Sequence, residues 1–323
     1  MAQRVWISSN GASPVERSFA ETGLDEVPIN FTRGLSTRDI INISQDLVFQ
    51  DKEINEILIS DWLSQFGGIT NQILAYKLLK RLREQGYHSD SLKFRAFKEL
   101  HKEFIATEVT KSNFAPRTER KQYVNLVISY LDQTGKSGHA CEYAYRRVNR
   151  IHSKCAVSPE KLVNHLKNAK EKTPIIFTDD IVGTGGTIVK GFKQFTKNME
   201  NEGLNVADYN IYLATITGTQ GGIEFVNKET DGAIIILPWR DIDDKLQAFS
   251  KNAEIFKNDD ERLAAKELVK EIGKELEPNH PIGRNDGQLL IAFQHGCPNN
   301  TLPIFYKSGR TFRGKEWRPL FPR

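Results

Sequence analysis

The stretch Thr173-Pro-Ile-Ile-Phe-Thr-Asp-Asp-Ile-Val-Gly-Thr-Gly-Gly-Thr187 constrains the fold of this chain more than any other. An apolar run, read as a buried strand, ends in two adjacent carboxylates, Asp179 and Asp180. A loop of Gly183, Thr184, Gly185, Gly186 and Thr187 follows, and then Ile188, Val189, Phe192 and Phe195 recur at helical spacing. Small residues let backbone N–H groups approach an anion at a helix N-terminus, and the hydroxyls of Thr184 and Thr187 add donors. Carboxylates at a strand end accept from sugar hydroxyls, as an acidic residue does in dinucleotide sites. The arrangement suits a sugar phosphate.

The rest of the chain supplies the matching elements. Residues 1–35 mix Gly, Ser, Pro and single hydrophobes without periodicity and read as an extended arm. From Ile40 to about Asn113 the pattern is helical. One run is Trp62, Phe66, Ile69, Ile73, Tyr76, Leu79 and Leu82, ending near Gly86, and another passes through Phe94, Phe97, Leu100 and Phe104. After Pro116 the texture changes. Strands are expected at Val124–Leu131, Pro174–Thr178, Asp208–Thr217 and Gly232–Leu237. Helices are expected from about His139 to His152, from Ser158-Pro159, over Ile188–Asn198 and over 219–228. Alternation of this kind predicts an α/β fold with a mainly parallel, helix-covered sheet. Helix returns around Leu263–Leu276, followed by a strand at Gln288–Phe293. The expected organisation is therefore an arm and helical region (1–115), an α/β core (116–238), and a helical insertion with a C-terminal hood (239–323) packed on that core.

Hydrophobic content of 39% and charged content of 27% describe an ordinary globular chain. No apolar run is long enough to cross a bilayer, and the first ten residues lack a signal-peptide core. Cys141, Cys155 and Cys297 show neither paired nor metal-ligand spacing, and no histidines are paired, so a reduced, cytoplasmic protein without membrane contact or structural metal is expected. A net charge of +4 is too small to argue nucleic-acid binding by itself. Two basic clusters nonetheless offer phosphate contacts: Lys111, Arg117, Arg120 and Lys121, and Arg310, Arg313, Lys315, Arg318 and Arg323. Solvated faces and a frayed tail explain them equally well.

The run Ile175-Ile-Phe-Thr-Asp-Asp-Ile-Val-Gly-Thr-Gly-Gly-Thr187 resembles the phosphoribosyl pyrophosphate (PRPP) signature of type I phosphoribosyltransferases. The resemblance implies that Asp179 and Asp180 face the ribose 2′ and 3′ hydroxyls and that Gly183–Thr187 wrap the 5′-phosphate. It also implies Mg²⁺, carried by the ligand and met by Asp179 and Asp180. Purine-specific members often hold a carboxylate where this chain has Gly183, so no general base is visible in the loop. A second loop, Leu131-Asp-Gln-Thr-Gly-Lys-Ser-Gly138, stands where the family has its pyrophosphate loop. Backbone N–H groups around Gly135 and Gly138, the Ser137 hydroxyl and the Lys136 charge suit a diphosphate with Mg²⁺, with Lys136, Asp179 and Asp180 as the catalytic candidates. Gly135-Lys-Ser137 also looks like the end of a Walker A loop, but that motif needs a glycine where Tyr130 stands.

The segment Phe293-Gln-His-Gly-Cys-Pro-Asn-Asn-Thr-Leu-Pro303 and the ending Trp317-Arg-Pro-Leu-Phe-Pro-Arg323 resemble the phosphoribosyltransferase-like domains of bacterial conflict and anti-phage loci, some of them retron-associated. His295, Asn299 and Asn300 can form a hood over the leaving-group end of the sugar, or a rigid turn with buried hydrogen bonds. Trp239 either stacks on a base or packs in the core, with the core favoured. Thr217-Gly-Thr-Gln-Gly-Gly222, glycine-rich without a carboxylate, is a secondary candidate.

These readings give two principal expectations. The chain is an Mg²⁺-assisted phosphoribosyltransferase acting on a base or nucleic acid, or a non-catalytic sensor of PRPP or a nucleotide within a nucleoprotein defence complex. An interaction module for nucleic acid is a third reading, compatible with both. An oligomer is compatible with each.

Overall fold

A computed structural model describes residues 35–112, 114–132, 137–310, 314 and 316–323. The chain divides into two compact units, one formed by residues up to Asp90 together with Asp244–Arg323, the other by Ser91–Asp243. The cuts fall at 90 and 243, against 115 and 238 in the division drawn from sequence.

In chain order the helices of the first unit are α1 (Thr37–Ser44), α2 (Glu56–Ser64) and α3 (Ile69–Arg81). Ser36 and Asp39 close α1 with a reciprocal capping box, and the Asn55 side chain caps α2. The single helical run expected through Trp62–Leu82 is broken between α2 and α3, where Gly67 takes φ +84°. The apolar steps continue across the break because both helices turn their apolar residues into one core.

The second unit carries α4 (Asp90–Ser112), β1 (Val127–Ser129), α5 (Ser137–Val148), α6 (Pro159–Lys167), β2 (Ile175–Val182), α7 (Gly186–Asn201), β3 (Ile211–Thr219), α8 (Gln220–Glu229) and β4 (Ile235–Ile242). The four strands pair in parallel in the order β1-β2-β3-β4, with Ile175 opposite Val127 and Ile211, and Thr215 opposite Pro238. Alternate residues separate two apolar layers, as the pleat requires. Ile175, Phe177, Ile211 and Leu213 share a buried cluster with Leu162 of α6, Phe192 and Phe195 of α7 and Val226 of α8. On the opposite face Tyr212 meets Phe104 of α4 edge to face at 5.0 Å, and Tyr145 of α5 meets Phe97 of α4 at 5.5 Å. This is the α/β fold with a parallel sheet and flanking helices that the sequence pattern predicts. The strands are shifted relative to that pattern: β2 runs on through Asp179 and Asp180 to Val182, and β4 includes Trp239, Arg240 and Asp241.

The chain then completes the first unit with α9 (Asp259–Leu276). The expected strand at 288–293 shortens to Ala292–Phe293, which pairs in parallel with Tyr87–His88. Trp62 stacks on Phe305 at 5.2 Å, and Trp62 and Trp317 both donate to the Ile304 carbonyl, at 3.1 and 3.0 Å. Truncating a core tryptophan so enclosed costs about 3–5 kcal/mol. Among the described residues no helix is long and apolar enough to cross a membrane.

Candidate functional site

Asp179 and Asp180 lie three and two residues before the C-terminal end of β2, and both are only 8% exposed. Burial of adjacent carboxylates demands compensation. Asp179 Oδ1 accepts from the Asp180 backbone N–H at 2.9 Å and from Ser137 Oγ at 3.1 Å. Burial first, then the charges of Asp180 and Asp132, and a side-chain hydrogen bond to Asp180 raise the Asp179 carboxyl well above the usual carboxylate range; the backbone bond opposes them. Cys141 of α5 shares this environment. Burial, followed by Asp180 and Asp179, holds its thiol well up, so it is a poor nucleophile.

After Val182 the loop turns into α7 through Gly185, whose φ of +75° is left-handed and whose lack of a side chain leaves the helix without a side-chain cap. The first N–H groups of α7 have no intrahelical acceptor, and they carry the positive end of the helix dipole. Gly186 and Thr187 are exposed there, with Thr184 half-buried. An anion is the natural partner of this terminus.

The glycine-rich stretch after β3 supports this loop. Thr219 accepts from the Gly222 N–H at 3.0 Å, capping α8, and its hydroxyl donates to the Gly183 carbonyl. Gly222 approaches so closely that a Cβ there would lie 2.1 Å from that same oxygen. Thr217 Oγ1 donates to the Arg240 carbonyl of β4 at 2.9 Å. The sequence signalled these positions only as a spare glycine loop; pairing of β2 with β3 is what brings them under Gly183.

The second loop reaches the same place. Ser137 and Gly138 begin α5, and the Gly138 N–H donates to Asp132 Oδ2 at 3.4 Å. Gly135 and Lys136 lie outside the described residues. Ser137 thus stands against Asp179 across a separation of 42 residues in sequence. Trp239 is half-buried inside β4, not after it. Its Nε1 donates to Glu99 Oε2 of α4 at 2.6 Å, and the Arg240 guanidinium lies 4.3 Å from its ring centre. Ion pairing accounts for part of the first basic cluster, where Arg117 meets Glu171 at 2.6 Å.

His295, Asn299 and Asn300 belong to the other unit. There His295 lies 5.4 Å from the Phe293 ring, and buried Asn300 donates through Nδ2 to the Arg284 carbonyl at 3.1 Å. The Asn299 carbonyl accepts from the Arg284 N–H at 2.8 Å. Sequence reasoning missed Glu108, a carboxylate 2% exposed that accepts from Tyr212 at 2.5 Å and Asn210 at 2.7 Å. Ser112, one helical turn on, also donates to it at 2.6 Å, but Tyr212 and Asn210 lie a hundred residues away, beyond any local spacing signal.

Among the described residues no group of three His, Cys, Asp or Glu side chains is placed to hold a metal. The oxygen donors of Asp179 and Asp180 nevertheless suit a hard cation shared with a phosphorylated ligand, and the raised Asp179 carboxyl is a group that such a cation would ionise.

The fold is consistent with a phosphoribosyltransferase-like domain, and the family model supports that class. The PRTase-CE family model matches residues 59–323, and the chain belongs to that family. No curated protein matches it. Among solved structures it is similar to the AQ2163 protein from Aquifex aeolicus, at 10% identity and a TM-score of 0.30, over 59% of this chain and 86% of that one.

Proposed function

We propose that the C-terminal edge of the sheet binds PRPP or a related ribose phosphate or nucleotide, and that the domain transfers the phosphoribosyl group to a base or a nucleic-acid acceptor. One observation carries the reading. The buried pair Asp179–Asp180 runs directly into an uncapped helix N-terminus, while Ser137, from the other loop, is hydrogen-bonded to the pair. The carboxylates would accept from the ribose hydroxyls, and the N–H groups of the Gly183–Thr187 loop would hold the 5′-phosphate. Ser137 and Gly138 would orient the diphosphate, with Lys136 adding charge. The bond from ribose C1 to the diphosphate oxygen breaks with its electron pair leaving on pyrophosphate, and a bond from C1 to the acceptor nitrogen forms as that nitrogen gives up its proton to solvent. Mg²⁺, held through the ligand and by Asp179 and Asp180, would neutralise the departing diphosphate.

Incubation with PRPP, Mg²⁺ and a panel of bases and RNAs should release pyrophosphate in the wild type and much less in Asp180→Asn. A second reading has its own observation. Gly183 occupies the position where a base-activating carboxylate can stand, which favours a PRPP or nucleotide sensor, an effector subunit of a nucleoprotein complex. Tight binding without pyrophosphate release from any acceptor would favour it. The likeness of the C-terminal segment to domains of anti-phage loci supports a role in such a defence system, in the cytoplasm, with a retron or other nucleic-acid assembly as partner.

A further inference from the structure

The turn-rich segment around Asn299 and Asn300 has a structural product within its own unit. Its backbone fixes two arginines. The Arg284 N–H donates to the Asn299 carbonyl at 2.8 Å, and the Arg284 carbonyl accepts from Asn300 Nδ2 at 3.1 Å. The Arg323 N–H donates to the Tyr306 carbonyl at 3.2 Å, and the Tyr306 hydroxyl donates to the Asn299 carbonyl at 3.4 Å. Arg284 and Arg323 line one cavity of about 490 Å³ with Glu277, His280, Asn299, Tyr306, Lys307 and Ser308. A volume of this size lies within the roughly 300–1,000 Å³ typical of small-ligand pockets.

Charge decides what the cavity can take. Lys307 is neutralised by Glu277 at 2.6 Å. Neither Arg284 nor Arg323 is ion-paired with an Asp or Glu side chain among the described residues. Two exposed arginines without an acidic side-chain partner therefore border the cavity beside half-buried His280. Tyr306 adds a neutral phenol: burial, with Cys297 and Glu277, pushes it up to about 12 against the opposing effect of Arg323. Guanidinium forks match the oxygens of a phosphate group bidentately, and two of them balance its two charges.

We propose that this cavity binds the phosphate monoester of a small molecule of nucleotide size, with Arg284 and Arg323 as the anchoring residues. The Asn-Asn turn then serves to place these arginines. The proposal is independent of the ribose-phosphate reading of the acidic pair.

Calorimetry on the full chain tests it with AMP, adenosine and a 5′-phosphorylated oligonucleotide as probes. The Asp180→Asn background separates this site from the acidic pair. In that background AMP should still bind and adenosine should not. Arg284→Gln and Arg323→Gln should each weaken AMP at least about tenfold, and the Lys variants, which keep the charge without the fork, should fall between. The arginines are tied in by their backbones, so melting curves of these variants should match the parent. Unchanged AMP affinity in the Arg284→Gln/Arg323→Gln double variant would overturn the proposal. Loss of all AMP binding with Asp180→Asn alone would do so too, as would binding of the oligonucleotide without AMP.

Discussion

Ser137 Oγ donates to Asp179 Oδ1 at 3.1 Å, joining the start of α5 to the acidic pair on β2. Two motifs that are 42 residues apart in sequence thus meet at one edge of the sheet. The same contact draws attention to the state of Asp179, a buried carboxyl whose environment opposes its ionisation.

Asp179→Asn should stabilise the free protein at neutral pH. The folded carboxyl titrates above its unfolded value of about 3.9, so the neutral form is the one the fold prefers. The associated stability is complete below the unfolded value and is lost as pH rises through the folded one. Asparagine mimics the neutral form and can still accept at Oδ1. At pH 7.5 the variant should melt at least about 2 °C higher than wild type, a shift that corresponds to roughly 1 kcal/mol in a chain of this size. The gap should close towards pH 4. A variant melting below wild type at pH 7.5 would contradict the assignment.

Gly185→Ala should be costly in two ways. The backbone at φ +75° disfavours any side chain, and an added Cβ would lie 2.8 Å from both the Gly222 carbonyl oxygen and Val226 Cγ2. Strain of this kind amounts to roughly 1–3 kcal/mol. Urea unfolding should show a loss in that range, and phosphate-bearing ligands should bind more weakly because the N–H groups of the loop move. Gly203 makes the control for backbone strain alone, since it too has a positive φ (+74°) but no atom within 4 Å of an added Cβ.

His101 provides an acid-sensitive element on the far face of the sheet. Burial pushes its imidazole down to about 4, and Nδ1 lies 3.1 Å from the Tyr145 hydroxyl. Because the folded value is below the unfolded one of about 6.5, its share of stability is intact above 6.5 and drains as pH falls towards 4. The span corresponds to roughly 3 kcal/mol at about 1.36 kcal/mol per unit. Chemical unfolding from pH 7 to 4 should be flatter for His101→Gln than for wild type by an amount of that order. Parallel curves would rule out His101 as the source.

Local features were legible in the sequence where the chemistry itself is local. The strand, acidic pair, glycine loop and helix of Ile175–Asn201 follow one another without interruption, so spacing reveals them. The break between α2 and α3 was hidden, because Trp62, Phe66 and Ile73 stay in phase while Gly67 takes a left-handed φ. Trp239 falls beyond the strand expected at Gly232–Leu237, yet β4 continues to Ile242 as an edge partner of β3. Glu108 with Tyr212, and Thr219 with Gly183, are products of tertiary pairing. Nothing in either residue's neighbourhood announces them.

The central claim is that Asp179, Asp180 and the Gly183–Thr187 loop form a ribose-phosphate site. Titration of the full chain with PRPP and Mg²⁺ in a calorimeter, for wild type and Asp180→Asn, tests it most directly. The account predicts saturable binding by wild type and loss of most of that affinity in the variant. Equal PRPP affinity in the two proteins would contradict it.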